Sequence, residues 1–190
     1  MSRWEPNSRG RLEAAALELY SERGYEQTTV AEIAKRAGLT ERTFFNHYAD
    51  KREVLFATAG EFQDLFVQAV SEACESAAPP IDALAAGLDA VSAMLSGQRE
   101  FVRARQTVIM ANSELRERDL VKLAATAAAL AETLRSHGVT EPAASLAAEA
   151  GVAAFKVGFV HWLAADEKRE LSALMRATLD ELKAVTAGGA

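Results

Sequence analysis

One cysteine, Cys74, occurs in the 190 residues. A single thiol excludes an internal disulfide framework and any multi-cysteine zinc site. Proline is scarce, with 4 residues, glycine contributes only 11, and aromatic side chains make up 7%. Few breakers therefore interrupt the chain. No apolar h-region follows residues 1–6, so no secretory signal is expected. Long apolar runs are also missing. The most apolar stretch, residues 143–165, carries Ser145, Glu149, Lys156 and His161, and a charge near a bilayer centre costs about 2.5–3.5 kcal/mol on insertion scales. No membrane association is expected, and the localisation expected is cytoplasmic. What the chain does hold is alanine and leucine, 40 and 20 residues, the two leading helix formers. With 49% hydrophobic and 25% charged residues, it has the composition of a globular core builder. An all-α fold is expected.

The net charge of −6 is unevenly placed. Residues 1–52 hold nine Lys/Arg against eight Asp/Glu, and residues 53–190 hold 12 against 19, so all the excess acidity lies beyond residue 52. Such asymmetry suggests different partners for the two segments, although charge does not set fold.

The first segment reads as three short helices. Leu12, Ala15, Ala16, Leu19 and Tyr20 form an amphipathic stripe closed by Gly24. Thr29 and Glu32 fit a capping box, followed by Val30, Ile33, Ala34 and Ala37 before Gly38. Thr40 then caps a short helix to about His47. Asp50 and Glu53 suggest another capped start, opening a long helix through Val54, Leu55, Phe62, Leu65, Phe66 and Val70. Pro79 and Pro80 end that helix. Further helices are expected near 81–96, 98–111, 114–136, 141–165 and 167–186. The domain division expected is a flexible arm over 1–8, a helix-turn-helix domain over 9–52, a helical domain over 53–187 and a frayed tail over 188–190.

Two short helices joined through Gly38 make a helix-turn-helix candidate, which spacing alone does not distinguish from an ordinary helical corner. The second helix combines Arg42, Thr43, Phe45, Asn46 and His47. In a major groove Arg suits guanine, Asn suits adenine, and Thr or Phe can touch a thymine methyl. The residues themselves are more specific. Arg9, the run Gly24 to Val30, Ile33 and Ala34, Ala37 to Thr40, Thr43 to Tyr48 and Lys51 to Leu55 resemble the DNA-binding domain of TetR-family transcriptional regulators. The resemblance covers residues 9–56, about a quarter of the chain.

That resemblance implies a recognition helix from about Thr40 to His47, with Arg42, Thr43 and Asn46 at base edges. It implies that Thr29 caps its helix and meets a phosphate, and that His47 and Lys51 contact the DNA backbone. One departure is Phe45 where the family usually has Tyr, which loses a phenol-to-phosphate hydrogen bond. Tyr48 stands where Phe is more usual and leaves a hydroxyl to bond elsewhere. The family also implies a C-terminal bundle that holds a small, largely apolar effector and pairs with a second copy. Candidate pocket residues are Met94, Phe101, Arg105, Gln106, Ile109, Met110, Asn112, Phe159 and His161. If Arg103 or Arg105 is buried it needs an anion or carboxylate, because an unpaired buried charge is costly. For the dimer, Gly151 and Gly158 permit close helix approach beside Phe155 and Trp162, with Leu171, Leu174, Met175, Leu179 and Leu182 on the last helix.

An enzyme finds no support: there is no His pair at metal spacing, no glycine-rich phosphate loop after a strand and no nucleophile elbow. An acidic neighbour, Glu75, works against a reactive thiolate at Cys74. No cofactor and no metal are expected. The function expected is a ligand-released repressor acting as a homodimer on a palindromic operator. The alternatives are a ligand-independent or activating regulator, and a helical adaptor that binds protein.

Overall fold

The computed structural model describes residues 7–164 and 166–188. The expected arm lies outside them except for Asn7 and Ser8, and the expected tail except for Gly188. Among the described residues the chain is helical, without strands. It runs α1 (Ser8–Arg23), α2 (Val30–Arg36), α3 (Glu41–His47), a 3₁₀ turn (Glu53–Phe56), α4 (Ala59–Glu75), α5 (Pro80–Leu95), α6 (Arg99–Ala111), α7 (Ser113–Ser136), α8 (Ala143–Leu163) and α9 (Leu171–Thr186). Two compact units result. One comprises the chain up to Thr58 together with Glu100–Asp119, and the other comprises Ala59–Arg99 with the chain from Leu120 onward. The chain thus crosses between units inside α6 and again inside α7.

In the first unit α1 buries Leu12, Ala15, Ala16, Leu17, Leu19 and Tyr20. α2 and α3 pack on it and on each other, adding Ile33, Ala34 and Phe44. Gly24 (φ 88°) and Gly38 (φ 67°) close the two turns in the left-handed half of backbone space, where an L side chain is strained. The long helix expected from Asp50 is not continuous. The Asp50 carboxylate does accept from the Arg52 and Glu53 amides, at 2.8 and 3.2 Å, but the chain then makes a single 3₁₀ turn and α4 begins only at Ala59. Val54, Leu55 and Phe56 on this turn are all buried.

In the second unit α5 lies against α4, α8 and α9, and α8 lies along α9. Pro80 sits at the first position of α5, where its missing N–H is no loss. By length and composition α8 could cross a membrane. Here one of its faces, Ala144, Ala148, Gly151, Val152, Ala154, Phe155, Gly158, Phe159 and Trp162, is buried in the unit. The helix expected from 167 begins only at Leu171. Glu167 explains the delay: its carboxylate accepts from the amides of Lys168 and Arg169, at 2.9 and 2.8 Å, and from the Arg169 guanidinium. Those bonds hold the Glu167 carboxyl down to about 2 and favour a turn over a helical start.

Candidate nucleic-acid interface

The seven-residue α3 buries one side chain completely, Phe44, and turns the rest outward. Arg42, Phe45, Asn46 and His47 are exposed and Thr43 is half-buried. Phe45 is 55% exposed, unusual for an aromatic side chain on a helix anchored to a core. The Thr40 hydroxyl caps the helix by accepting from the Thr43 amide at 3.1 Å and shares a 3.0 Å hydrogen bond with the Thr43 hydroxyl. At the far end His47 Nε2 lies 2.9 Å from the Ser8 hydroxyl. Five of the eight residues expected at DNA, namely Thr40, Arg42, Thr43, Asn46 and His47, thus lie on α3 or at its cap, and Phe45 adds an exposed apolar surface beside them.

Thr29 starts α2 through a complete capping box. Its hydroxyl accepts from the Glu32 amide at 3.3 Å, and the Glu32 carboxylate accepts from the Thr29 amide and hydroxyl, each at 2.9 Å. These bonds hold the Glu32 carboxyl below the usual carboxylate range. Thr29 itself is exposed. The half-buried Lys51 has its ammonium 2.9 and 3.0 Å from the carbonyl oxygens of Tyr25 and Thr28.

The core beneath is fastened by polar groups that the sequence pattern did not pair. The Tyr48 hydroxyl, available because no Phe stands there, donates to Glu13 Oε1 at 2.8 Å. Glu13 also accepts from Arg9 Nε at 3.1 Å. Burial followed by the Glu13 contact pushes the Tyr48 phenol well above its ordinary range. The 100–119 segment is tied to the same unit. Arg105 donates to the Leu55 carbonyl oxygen and lies over the Phe56 ring, 5.4 Å from its centroid. Arg52 pairs with Glu114, and Arg118 with Glu53.

Asp50 anchors this join, since its carboxylate also takes Arg52 Nη2 at 2.6 Å. The Arg52 guanidinium first, and then the amides of Arg52 and Glu53, hold its carboxyl below the usual range. A lowered folded-state value means that the stabilisation is present above the unfolded value and is lost as pH falls through the folded one. The melting temperature of Asp50→Asn should therefore lie below that of the wild type at neutral pH. The gap should close on acidification between about pH 5 and pH 2, as followed by circular dichroism. A gap that is independent of pH would contradict this assignment.

The residues expected to line a pocket divide between the units. Met94, Phe159 and His161 belong to the second, and Phe101, Arg105, Gln106, Ile109, Met110 and Asn112 to the first. His161 is exposed, as is Met110 at 55%. Ile109 is fully buried, Arg105 is committed to Leu55 and Phe56, and the Asn112 amide donates to the Val108 carbonyl at 2.7 Å. Arg105 is half-buried, and a main-chain carbonyl with Asp119 nearby provides the acceptors its guanidinium needs.

The residues expected at a dimer interface lie mostly inside the second unit. Gly151, Phe155, Gly158, Trp162, Leu171, Leu174, Met175 and Leu179 are buried within the second unit, and Leu182 is half-buried. A Cβ at Gly151 would meet Leu84, and one at Gly158 would meet Met175 and Thr178. The close approach that these glycines allow is between helices of one protomer. The unpartnered face of α8 is another one, formed by Leu146, Ala153, Val157 and Val160.

A helical corner with an outward-facing polar second helix, joined to a second helical unit, defines a two-part helix-turn-helix protein. Comparison with known families is specific. The model for "Bacterial regulatory proteins, tetR family" matches residues 12–58, and the model for the "MftR C-terminal domain" matches residues 78–187. The chain belongs to the TetR family of transcriptional regulators. It is 26% identical over 124 residues to the HTH-type transcriptional regulator HbdR of Aromatoleum sp. (strain CIB), covering 60% of this chain and 54% of that one. It is 36% identical over 84 residues to the HTH-type transcriptional regulator TcmR of Streptomyces glaucescens, covering 44% and 37%. The chain thus spans about half the length, or less, of these curated relatives. Among solved structures, the transcriptional regulator FadR from Bacillus subtilis in complex with stearoyl-CoA matches with a TM-score of 0.62 at 24% identity, covering 91% of this chain and 96% of that one. Thermus thermophilus FadR, a repressor in complex with lauroyl-CoA, matches with a TM-score of 0.59 at 24% identity, covering 92% and 93%. These two share the fold.

Proposed function

We propose that this protein is a cytoplasmic, ligand-released repressor that binds a palindromic DNA operator as a homodimer. The observation that carries the reading is the outward face of α3. Arg42, Asn46 and His47 are exposed and Thr43 is half-buried on a helix of major-groove size that Phe44 anchors. Sequences selected from random DNA should bind wild type tightly by fluorescence anisotropy. Asn46→Ala should lose about 1–3 kcal/mol of discrimination at one base position while keeping non-specific affinity. Equal binding of all sequences by wild type would overturn the reading and favour a protein-binding adaptor.

The homodimer is supported by the exposed apolar row on α8. Leu146, Val157 and Val160 are 66%, 49% and 64% exposed, and with Ala153 they recur at spacings of seven, four and three, a seam of coiled-coil type. Val157→Asp should yield a monomer by analytical ultracentrifugation with unchanged helicity, because Val157 takes no part in the protomer's core. A Val157→Asp protein that stays dimeric would exclude this face.

For the effector, an acyl-CoA-like amphiphile is the class we favour. The solved FadR complexes with stearoyl-CoA and lauroyl-CoA support it. So does the row of rings inside the second unit: Phe62 to Phe155 at 4.9 Å, Phe155 to Phe159 at 5.2 Å and Phe159 to Trp162 at 6.1 Å. Release follows if the effector binds the DNA-free arrangement more tightly, since a ligand shifts a conformational equilibrium only by its differential affinity. Titrating the protein–DNA complex with acyl-CoA, coenzyme A and free fatty acid in parallel separates this class from its parts. Release by none of them would leave a ligand-independent regulator.

A further inference from the structure

Lys51 is surrounded by acceptors of its own chain. Its Nζ lies 2.9 Å from the Tyr25 carbonyl oxygen, 3.0 Å from that of Thr28 and 3.4 Å from that of Glu26. It also stands over the Tyr25 ring, 4.3 Å from the centroid. An ammonium has three hydrogens, and three carbonyls with one aromatic face provide for all of them. The main chain of the same residue is held too, since the Tyr20 hydroxyl donates to the Lys51 carbonyl oxygen at 2.6 Å.

The loop so gripped, residues 24–29, has few bonds of its own. The Thr28 amide donates to the Tyr25 carbonyl at 3.3 Å, and the Thr28 hydroxyl to the Gly24 carbonyl at 2.9 Å. Without Lys51 the carbonyls of Tyr25 and Thr28 would converge with no cation between them. The Thr28 carbonyl is also the last group before Thr29, the exposed residue that caps α2 and whose amide and hydroxyl both donate to the Glu32 carboxylate. Fixing that carbonyl fixes the peptide plane from which Thr29 departs.

We infer that Lys51 is a positioning residue of the DNA interface rather than a phosphate ligand: it clasps the 25–28 loop and holds Thr29 and the first turn of α2 in register with the DNA backbone. The inference rests on the DNA-binding reading above. It makes a prediction that separates it from direct contact. Each lysine that neutralises a phosphate adds about 0.9 to the slope of log affinity against log salt. A lysine engaged with carbonyls adds nothing to that slope, however much affinity its loss removes.

The test uses the full chain and its selected DNA, with wild type, Lys51→Met and Lys51→Gln measured over a salt series. Lys51→Met should bind about tenfold more weakly or worse, the scale of one lost charge-assisted hydrogen bond, with the salt slope unchanged. Lys51→Gln keeps two N–H donors without the charge and should recover part of the loss. A slope flattened by about one unit in either variant would make Lys51 a phosphate contact and overturn the inference. Lys51→Gln also decides the slope if Lys51→Met does not fold.

A double-mutant cycle adds a readout that general destabilisation does not move. Thr29→Val should weaken binding several-fold in wild type and little further beside the Lys51 substitution. Additive losses would deny the link to Thr29. Hydrogen exchange of the free protein needs no DNA: amides 26–32 should lose protection in Lys51→Gln while those of α1 keep it, and an unchanged pattern would refute the clasp. Wild type that binds no selected DNA would instead sink the regulator reading, with the exchange result standing apart.

Discussion

Phe44→Ala should unfold the recognition helix and abolish specific DNA binding, with a loss of about 3–5 kcal/mol from truncating a buried phenylalanine. Phe44 is 0% exposed and is the one buried residue of α3. Its ring packs edge-on to Phe45 at 5.5 Å and against Tyr48 at 5.6 Å. Seven residues cannot sustain a helix in water unaided, because nucleation is costly and only a few hydrogen bonds follow. The outward residues that suit α3 to a groove are also the ones that give it no hold on the core. Set against a total stability of about 5–15 kcal/mol for a typical domain, the loss is decisive for this unit. Urea denaturation and hydrogen exchange over residues 41–47 provide the measurement. Phe44→Leu, which keeps most of the apolar volume, should fall between the two. A Phe44→Ala protein within about 0.5 kcal/mol of wild type would mean that α3 is held by something other than its single anchor.

The second large effect is expected at Gly87, in the middle of α5. Helix propensity alone predicts that alanine there stabilises, by roughly 1 kcal/mol. Packing reverses the sign. A Cβ on Gly87 would lie 2.4 Å from two carbons of the Phe66 ring and 2.9 Å from a Val70 methyl, where carbon atoms prefer about 3.5–4.0 Å. Phe66 and Val70 are both 0% exposed, so neither can swing aside, and α5 must move off α4. Overpacking of this kind costs about 1–3 kcal/mol, enough to override the propensity gain. Gly87→Ala should therefore melt below wild type, and Gly87→Val well below it. Gly60 is the control: it lies in α4 with nothing within 4 Å of its would-be Cβ, and Gly60→Ala should hold or raise the melting temperature. A stabilising Gly87→Ala would show that α4 and α5 are looser than these distances imply.

Most of the helix-turn-helix was legible because its determinants are local. Thr29 with Glu32 and Thr40 before α3 are caps that act within one turn, and Gly24 and Gly38 mark turns through their own backbone angles. The stripe Leu12, Ala15, Ala16, Leu19 and Tyr20 has a polar opposite face, so its direction was readable. In α8 the same logic has nothing to work on, because Leu146, Ala153, Val157 and Val160 on one face are as apolar as Val152, Phe155 and Phe159 on another. Periodicity cannot choose between two apolar faces. Gly151 and Gly158 signalled close helix contact correctly in kind, but whether the neighbour belongs to the same chain is not written in a spacing. Lys51 was equally opaque, since a lysine near a DNA-facing helix has the same symbol whether it meets a phosphate or three carbonyls.

The pocket residues illustrate another limit. Arg105 was recognisable as an arginine among apolar neighbours, hence in need of an acceptor. That the acceptor is the Leu55 carbonyl, 50 residues earlier, depends on how 100–119 joins the first unit, a non-local fact. The helical class, the two caps and the glycine turns follow from interactions spanning about four residues, whereas α3 keeps its outward face because Phe44 is buried in the core. The 3₁₀ turn after Asp50, the carbonyl partners of Lys51 and the face of α8 that stays open come instead from packing between segments far apart in sequence. Each of these is set by the groups that distant segments bring into contact, and neither periodicity nor capping encodes them.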